Sequence, residues 1–270
     1  MTNCRLSEEA PHIGPTSDQS SPVKMSRGFR RGRASVLIPD AEHPPEYEQF
    51  AFGIETLQAR LLKCGGDSLY DAELLQMILF ERGAQNELAA TAEALLKRFQ
   101  GFGGVISASE VELASIDGVG VPGAALLKLV QAAALRLLKS EIPAGPVLQN
   151  WDALIAYIRA RMAFNRVEEV LVLYLDARSR LLIMESQGRG TITHAPMYPR
   201  EVIRRALELN AKALIVAHNH PSGDPAPSRE DIFMTKDLIN AAATMDIDVH
   251  DHVIVGRERC LSFRRERLIQ

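Results

Sequence analysis

The sequence predicts an α+β protein, an all-helical domain followed by a three-layer α/β/α-like domain, and three observations predict it. From Glu55 to Leu138 the leucines recur at helical intervals, with capping residues between the runs. A break containing Pro143, Gly145 and Pro146 closes that pattern. Beyond it, apolar runs of strand length are interspersed with helical patterns, the order in which helices come to cover a sheet.

The first stretch, residues 1–50, holds 6 of the 14 prolines with many Ser, Thr and Gly. It has too little apolar surface to offset chain entropy and is expected to be a disordered polar tail. Residues 51–141 form the helical domain. Leu57, Leu61 and Leu62 belong to a first helix that stops at Cys64-Gly65-Gly66. Ser68 with Asp71 is expected to open a second, carrying Leu74, Leu75, Ile78 and Leu79, and Asn86 to cap a third. Ser109 with Glu112 makes a capping box. Leu113, Ile116, Gly118-Val119-Gly120 and the helical pattern of 124–138 then resemble a helix-hairpin-helix, whose free amides can meet a phosphate. Val121, Pro122 and Gly123 stand where such hairpins often carry a basic residue, and Lys128 is the first cation.

Residues 142–149 read as a linker, and residues 150–270 as the second domain. Trp151, Leu154, Ile155 and Ile158 mark one face of a helix. Residues 170–175 and 181–184 read as strands joined by a turn at 176–179. Pro199 is well placed to begin a helix carrying Val202, Ile203, Ala206 and Leu207. A strand at 213–217, a helix from Ser228 carrying Ile232, Phe233, Leu238 and Ile239, and strands at 249–255 and 260–263 complete the domain.

Composition narrows the function classes. An apolar content of 46% and a charged content of 24% are those of an ordinary globular protein. The formal net charge of -3 gives the whole chain no electrostatic reason to bind nucleic acid strongly. Lys24, Arg27, Arg30, Arg31 and Arg33 form a basic cluster in the tail, read as a solvated segment, with a contact for nucleic acid or an acidic partner as the alternative. With three scattered cysteines and no CxxC, neither a thiol zinc site nor a disulfide framework is indicated, and a reducing compartment fits. No apolar run is read as approaching a bilayer-spanning length and no signal-peptide core is seen, so no membrane partner and a cytoplasmic location are expected.

The chemistry concentrates in residues 213–231, ALIVAHNHPSGDPAPSRED. Side chains alternate faces in an extended segment, so His218 and His220 at the strand exit point the same way. Pro221, Gly223, Pro225 and Pro227 force the chain to turn, and Asp224 reads as a turn residue. Ser228, three residues before Asp231, is the pattern of a helix N-terminus. Two imidazoles and a carboxylate make a three-ligand site with a fourth tetrahedral position for water, the arrangement of catalytic zinc.

His218, His220, Ser228 and Asp231 resemble the JAMM motif of the MPN/JAB metallopeptidases, and the string HNHPSGDPAPSRED resembles its RadC branch. Gly190-Thr191, Pro199-Arg200-Glu201 and Asp251-His252 strengthen the resemblance. It implies a JAB/MPN domain with a mixed sheet, Zn2+ held by His218, His220 and Asp231, and a peptide or protein substrate. Ser228 would donate to the oxyanion, and a glutamate from a distant element would act as general base. Glu169, directly before the apolar strand VLVLYL, is preferred for that role, with Glu168 and Glu185 as alternatives. His194, His250 and His252 are further imidazoles, and Asp251-His252 is a candidate for bonding to the ligands. The alternative function is that of a DNA-repair-associated accessory protein binding branched or single-stranded DNA. A zinc nucleobase deaminase is set aside because HxE with PCxxC does not occur. Oligomeric state is not legible in the sequence.

Overall fold

The computed structural model describes residues 53–80, 85–142, 145–189 and 197–269. The polar tail with its basic cluster, Gly190-Thr191 and His194 lie outside the described residues. The helical region contains α1 (Ile54–Cys64), α2 (Asp71–Leu79), α3 (Gln85–Phe99), α4 (Phe102–Ser107), α5 (Glu110–Ala114) and α6 (Gly120–Ser140). Leu75, Leu79, Leu95, Leu113 and Leu127 are fully buried in its shared core. Leu62, by contrast, is 86% exposed.

The helix ends follow local chemistry, with two corrections, one being that Asn86, expected to cap the third helix, lies inside α3, which already starts at Gln85. Gly65 ends α1 in the left-handed region, at φ 81°, donating its N–H to the Leu61 carbonyl. Ser109 and Glu112 form the expected capping box. The second helix, however, is opened by Tyr70 and not by Ser68: the Glu73 carboxylate accepts the Tyr70 N–H at 2.9 Å. Ser68 lies in a preceding 3-10 turn, its hydroxyl donating to the Gly65 carbonyl.

Lys128 bears on the hairpin between α5 and α6. Its ammonium turns inward and donates to the carbonyls of Ile106 and Ala108 at 3.0 and 2.8 Å. The first cation of the hairpin therefore satisfies the end of α4. Among the described residues, α6 is long and apolar enough, by length and composition alone, to cross a membrane. Lys128, Gln131 and Arg136 interrupt the run in sequence, and Gly123, Ala124 and Leu127 are buried against the other helices.

In the second region α7 (Trp151–Met162), β1 (Glu169–Leu175), β2 (Leu181–Arg189), α8 (Pro199–Glu208), β3 (Ala213–Asn219), α9 (Arg229–Ala243), β4 (Asp248–Val255) and β5 (Cys260–Ser262) follow in order. The strands form one sheet in the order β2-β1-β3-β4-β5, parallel only between β3 and β4. It is a mixed sheet in an α+β fold. Residues 146–149, expected to be linker, are partly built into it. Pro146 bridges Arg180, Val147 donates to the Ser179 carbonyl, and the Val147 side chain is fully buried.

The two faces of the sheet separate cleanly by residue parity. Val170, Val172 and Tyr174 of β1 join Leu214 and Val216 of β3 against α8 and α9. Leu171, Leu173 and Leu175 join Ala213, Ile215 and Ala217 against α7. Buried at every position, β1 and β3 read as continuous apolar runs and give no alternation to the eye. Three layers result, and the parity rule fixes which end-of-strand side chains can meet.

Candidate metal centre

His218 stands opposite Val170 in the β1–β3 register and shares its face, the side covered by α9. The chain then continues to His220, whose N–H is taken by the Val255 carbonyl at 3.0 Å. Gly223, at φ 88°, turns the loop and returns its N–H to the His220 carbonyl. The loop ends at Ser228, whose hydroxyl accepts the Asp231 N–H at 3.0 Å and donates to Asp231 Oδ2 at 2.6 Å. The backbone N–H of Ser228 reaches the same carboxylate oxygen at 2.7 Å. The capping box thus aims a carboxylate back toward the strand exit.

The three side chains converge. His218 Nε2 and His220 Nε2 are 3.0 Å apart, and Asp231 offers Oδ1 at 3.1 Å from the first and Oδ2 at 3.4 Å from the second. Their ligand atoms all lie within 4.8 Å of one another. Burial by itself would raise the Asp231 pKa, but when the imidazole Nε2 atoms carry protons their hydrogen bonds, with that from Ser228, outweigh it and hold the carboxyl well below the usual range. The Asp231 hydrogen bond, opposed by burial, raises His220 above an ordinary imidazole.

The outer hydrogen bonds decide which imidazole nitrogens are free. His220 Nδ1 lies 2.8 Å from the Asp224 carbonyl, which can only accept, so the proton of a neutral His220 sits on Nδ1. Thr235 donates its hydroxyl proton to the Asp231 carbonyl and lies 2.6 Å from His252 Nδ1, so that nitrogen carries the proton it shares with Thr235. His252, wholly buried and held well below an ordinary imidazole pKa by that burial, is neutral and accepts through Nε2. Its partner at 2.7 Å is His218 Nδ1, which therefore donates. In its neutral form each ligand imidazole then presents an Nε2 lone pair, the two facing one another across 3.0 Å beside an anionic carboxylate. Only a proton or a cation relieves that arrangement, and two nitrogens with one carboxylate oxygen suit a zinc-like ion. The residues fit a metal.

The glutamates divide differently from the sequence expectation. Glu169, preferred there as general base, is not brought to the ligands: it shares the parity of Leu171 and faces the α7 side. Its carboxylate meets Arg161 Nη2 at 3.3 Å and Asn165 Nδ2 at 3.1 Å. Glu168 takes the other parity, and its Oε1 lies 4.0 Å from His218 Nε2. Glu185 is occupied by Arg205 of α8, whose Nε donates to it at 2.8 Å. The face of His218 belongs to even-numbered β1 positions, so the strand's leading residue, Glu169, points away from the ligands.

Other residues also find their places. Asp224 is the turn residue expected, its Oδ1 accepting from the Ala226 N–H. His250 faces away, 3.3 Å from the Ser179 hydroxyl. Thr235 and Asn219 escaped the sequence reading. Thr235 lies one helical turn after Asp231, a spacing that places both on one face of α9 and was the available signal.

The loop depends on one close backbone approach. A Cβ built on Gly256 would lie 2.5 Å from the Gly223 carbonyl oxygen and 2.7 Å from Pro225 Cδ. Gly256→Ala is therefore expected to destabilise the protein by about 1–3 kcal/mol, the ordinary cost of overpacking. Thermal unfolding of the variant checks this, and an unchanged midpoint would contradict it.

Residues 148–268 match a family profile described as RadC-like JAB domain. The chain is also 45% identical over 213 residues to a protein of Rhodobacter capsulatus called UPF0758 protein, an alignment spanning 79% of this chain and 100% of that one.

Proposed function

The chain belongs to the RadC family of JAB-domain proteins, and from that premise we propose that it is a zinc-dependent hydrolase of peptide or isopeptide bonds. One observation carries the reading. His218, His220 and Asp231 converge with both imidazole Nδ1 protons already committed elsewhere, and the Glu168 carboxylate faces the same point.

His218, His220 and Asp231 would hold the ion. Bound there, zinc would supply hydroxide at neutral pH by lowering the pKa of water from about 15.7 to about 7, and would polarise a carbonyl. Glu168 is the general base: its carboxylate takes a proton at Oε1 and passes it to the leaving nitrogen. Ser228 contributes at the acyl oxygen. Its hydroxyl can turn from Asp231 Oδ2 toward developing negative charge while the Ser228 N–H, at 2.7 Å, keeps that carboxylate oxygen satisfied. One such donor is typically worth about 3 kcal/mol in the transition state. His252 and Thr235 hold the His218 ring and its proton in place.

The test is hydrolysis of a mixed library of peptides and lysine-linked isopeptides by the zinc-loaded full chain. New amino groups should appear, their release should stop after chelation and it should resume with added zinc. A fully loaded chain that releases none from any member of the library would overturn the reading.

A further inference from the structure

Glu168 belongs to neither a strand nor a helix; it ends the short segment joining α7 to β1. A carboxylate on an unpaired segment has no fixed direction unless something holds the backbone. The hold comes from two sides.

On one side stands Asn219, the residue between the two histidines, fully buried and on the opposite face of the sheet from His218. Its Oδ1 accepts the Glu169 N–H at 2.9 Å. Its Nδ2 donates to the carbonyls of Asn165 and Val167, each at 3.2 Å. The amide orientation is unambiguous, because an N–H needs the oxygen and two carbonyls need the nitrogen. All three bonds go to the segment flanking Glu168.

On the other side is the helical region. Arg166 Nη1 pairs with Glu112 Oε1 of α5 at 2.7 Å, and its guanidinium lies 5.1 Å from the centre of the Phe99 ring. The Phe164 ring rests on the backbone at Gly103, where a Cβ would come within 2.5 Å of it. Side chains 164 and 166 thus anchor outward to the helices, while carbonyls 165 and 167 anchor inward to Asn219.

We propose that Asn219, assisted from the helical region by Arg166, is a positioning residue that fixes the α7–β1 segment so that Glu168 faces the metal ligands. The proposal rests on the reading of Glu168 as the general base. It gives the residue between the ligand histidines a task, and it makes the helical region part of the catalytic geometry. Displacements near 1 Å can cost about a hundredfold in rate, so a segment of this kind needs such anchors.

The experiment uses the full chain loaded with Co2+ and follows the visible absorption band at one fixed pH, with amide hydrogen exchange at Glu169 as a second readout. Glu168→Gln is expected to change the band. Asn219→Ala should change it in the same sense and speed exchange at Glu169 about tenfold, the loss of one hydrogen bond. In the Glu168→Gln background, Asn219→Ala should change the band no further. Arg166→Ala removes a half-exposed side chain, so it serves if Asn219→Ala fails to fold, and it should shift the band in the same sense by less. If Asn219→Ala and Arg166→Ala both leave the band unchanged while Glu168→Gln alters it, positioning is overturned and the base assignment stands. If Glu168→Gln itself leaves the band unchanged, the base assignment fails and the positioning proposal goes with it.

Discussion

Asp231→Ala is expected to purify with almost no zinc, where the parent chain should carry about one ion per molecule. The carboxylate is the only anion in the three-ligand set, and it contacts both imidazoles, at 3.1 and 3.4 Å. Without it two lone pairs still face one another across 3.0 Å, and nothing balances the charge of a divalent ion. The substitution also removes half of the capping box that begins α9, which costs about 1 kcal/mol and must be separated from the loss of metal. His220→Ala provides the separation. It takes no part in the cap, yet it should lose zinc as completely. Metal analysis of both proteins after dialysis decides the matter, and full retention in both would remove His220 and Asp231 from the ligand set.

The legibility of this site in the sequence varied with the range of the interaction. His218, His220, Ser228 and Asp231 lie within fourteen residues, and strand parity together with turn and cap chemistry places them without knowledge of the rest of the fold. The layer order was equally open, since apolar runs alternate with helical patterns. Glu168, just before β1, and His252, on β4, come from other parts of the chain, and their approach depends on a register that no local pattern encodes: Val170 opposite His218 on one side, Ile254 opposite it on the other. A one-residue slip of β1 would exchange Glu168 for Glu169 at the site. Ser68 does not cap the helix for a related reason: Tyr70 and Glu73 supply a competing start, and the Glu73 carboxylate that accepts the Tyr70 N–H is also held by Arg60 of α1, thirteen residues away. Asn219 looked like a spacer because its three partners lie fifty or more residues away.

The glutamate pair offers the sharpest contrast that a single charge can make. Glu168→Gln is expected to keep the full complement of zinc and to lose about two to four orders of magnitude in turnover, the usual contribution of a general base. The amide preserves shape and can still donate or accept, but it cannot take a proton and return it to the leaving nitrogen. Glu169→Gln should leave turnover within a few-fold of the parent. Its effect should fall on stability, by about 1–2 kcal/mol, because the charge it removes is the one paired with Arg161 on the far face of the sheet. Measuring kcat, zinc content and the unfolding midpoint for both variants tests all of this at once. Were Glu169→Gln the inactive protein and Glu168→Gln the active one, the α7–β1 segment would have to turn over when substrate binds. The three hydrogen bonds from Asn219 and the Arg166–Glu112 ion pair would then have to break in every turnover, which sets a strong energetic reason against that outcome.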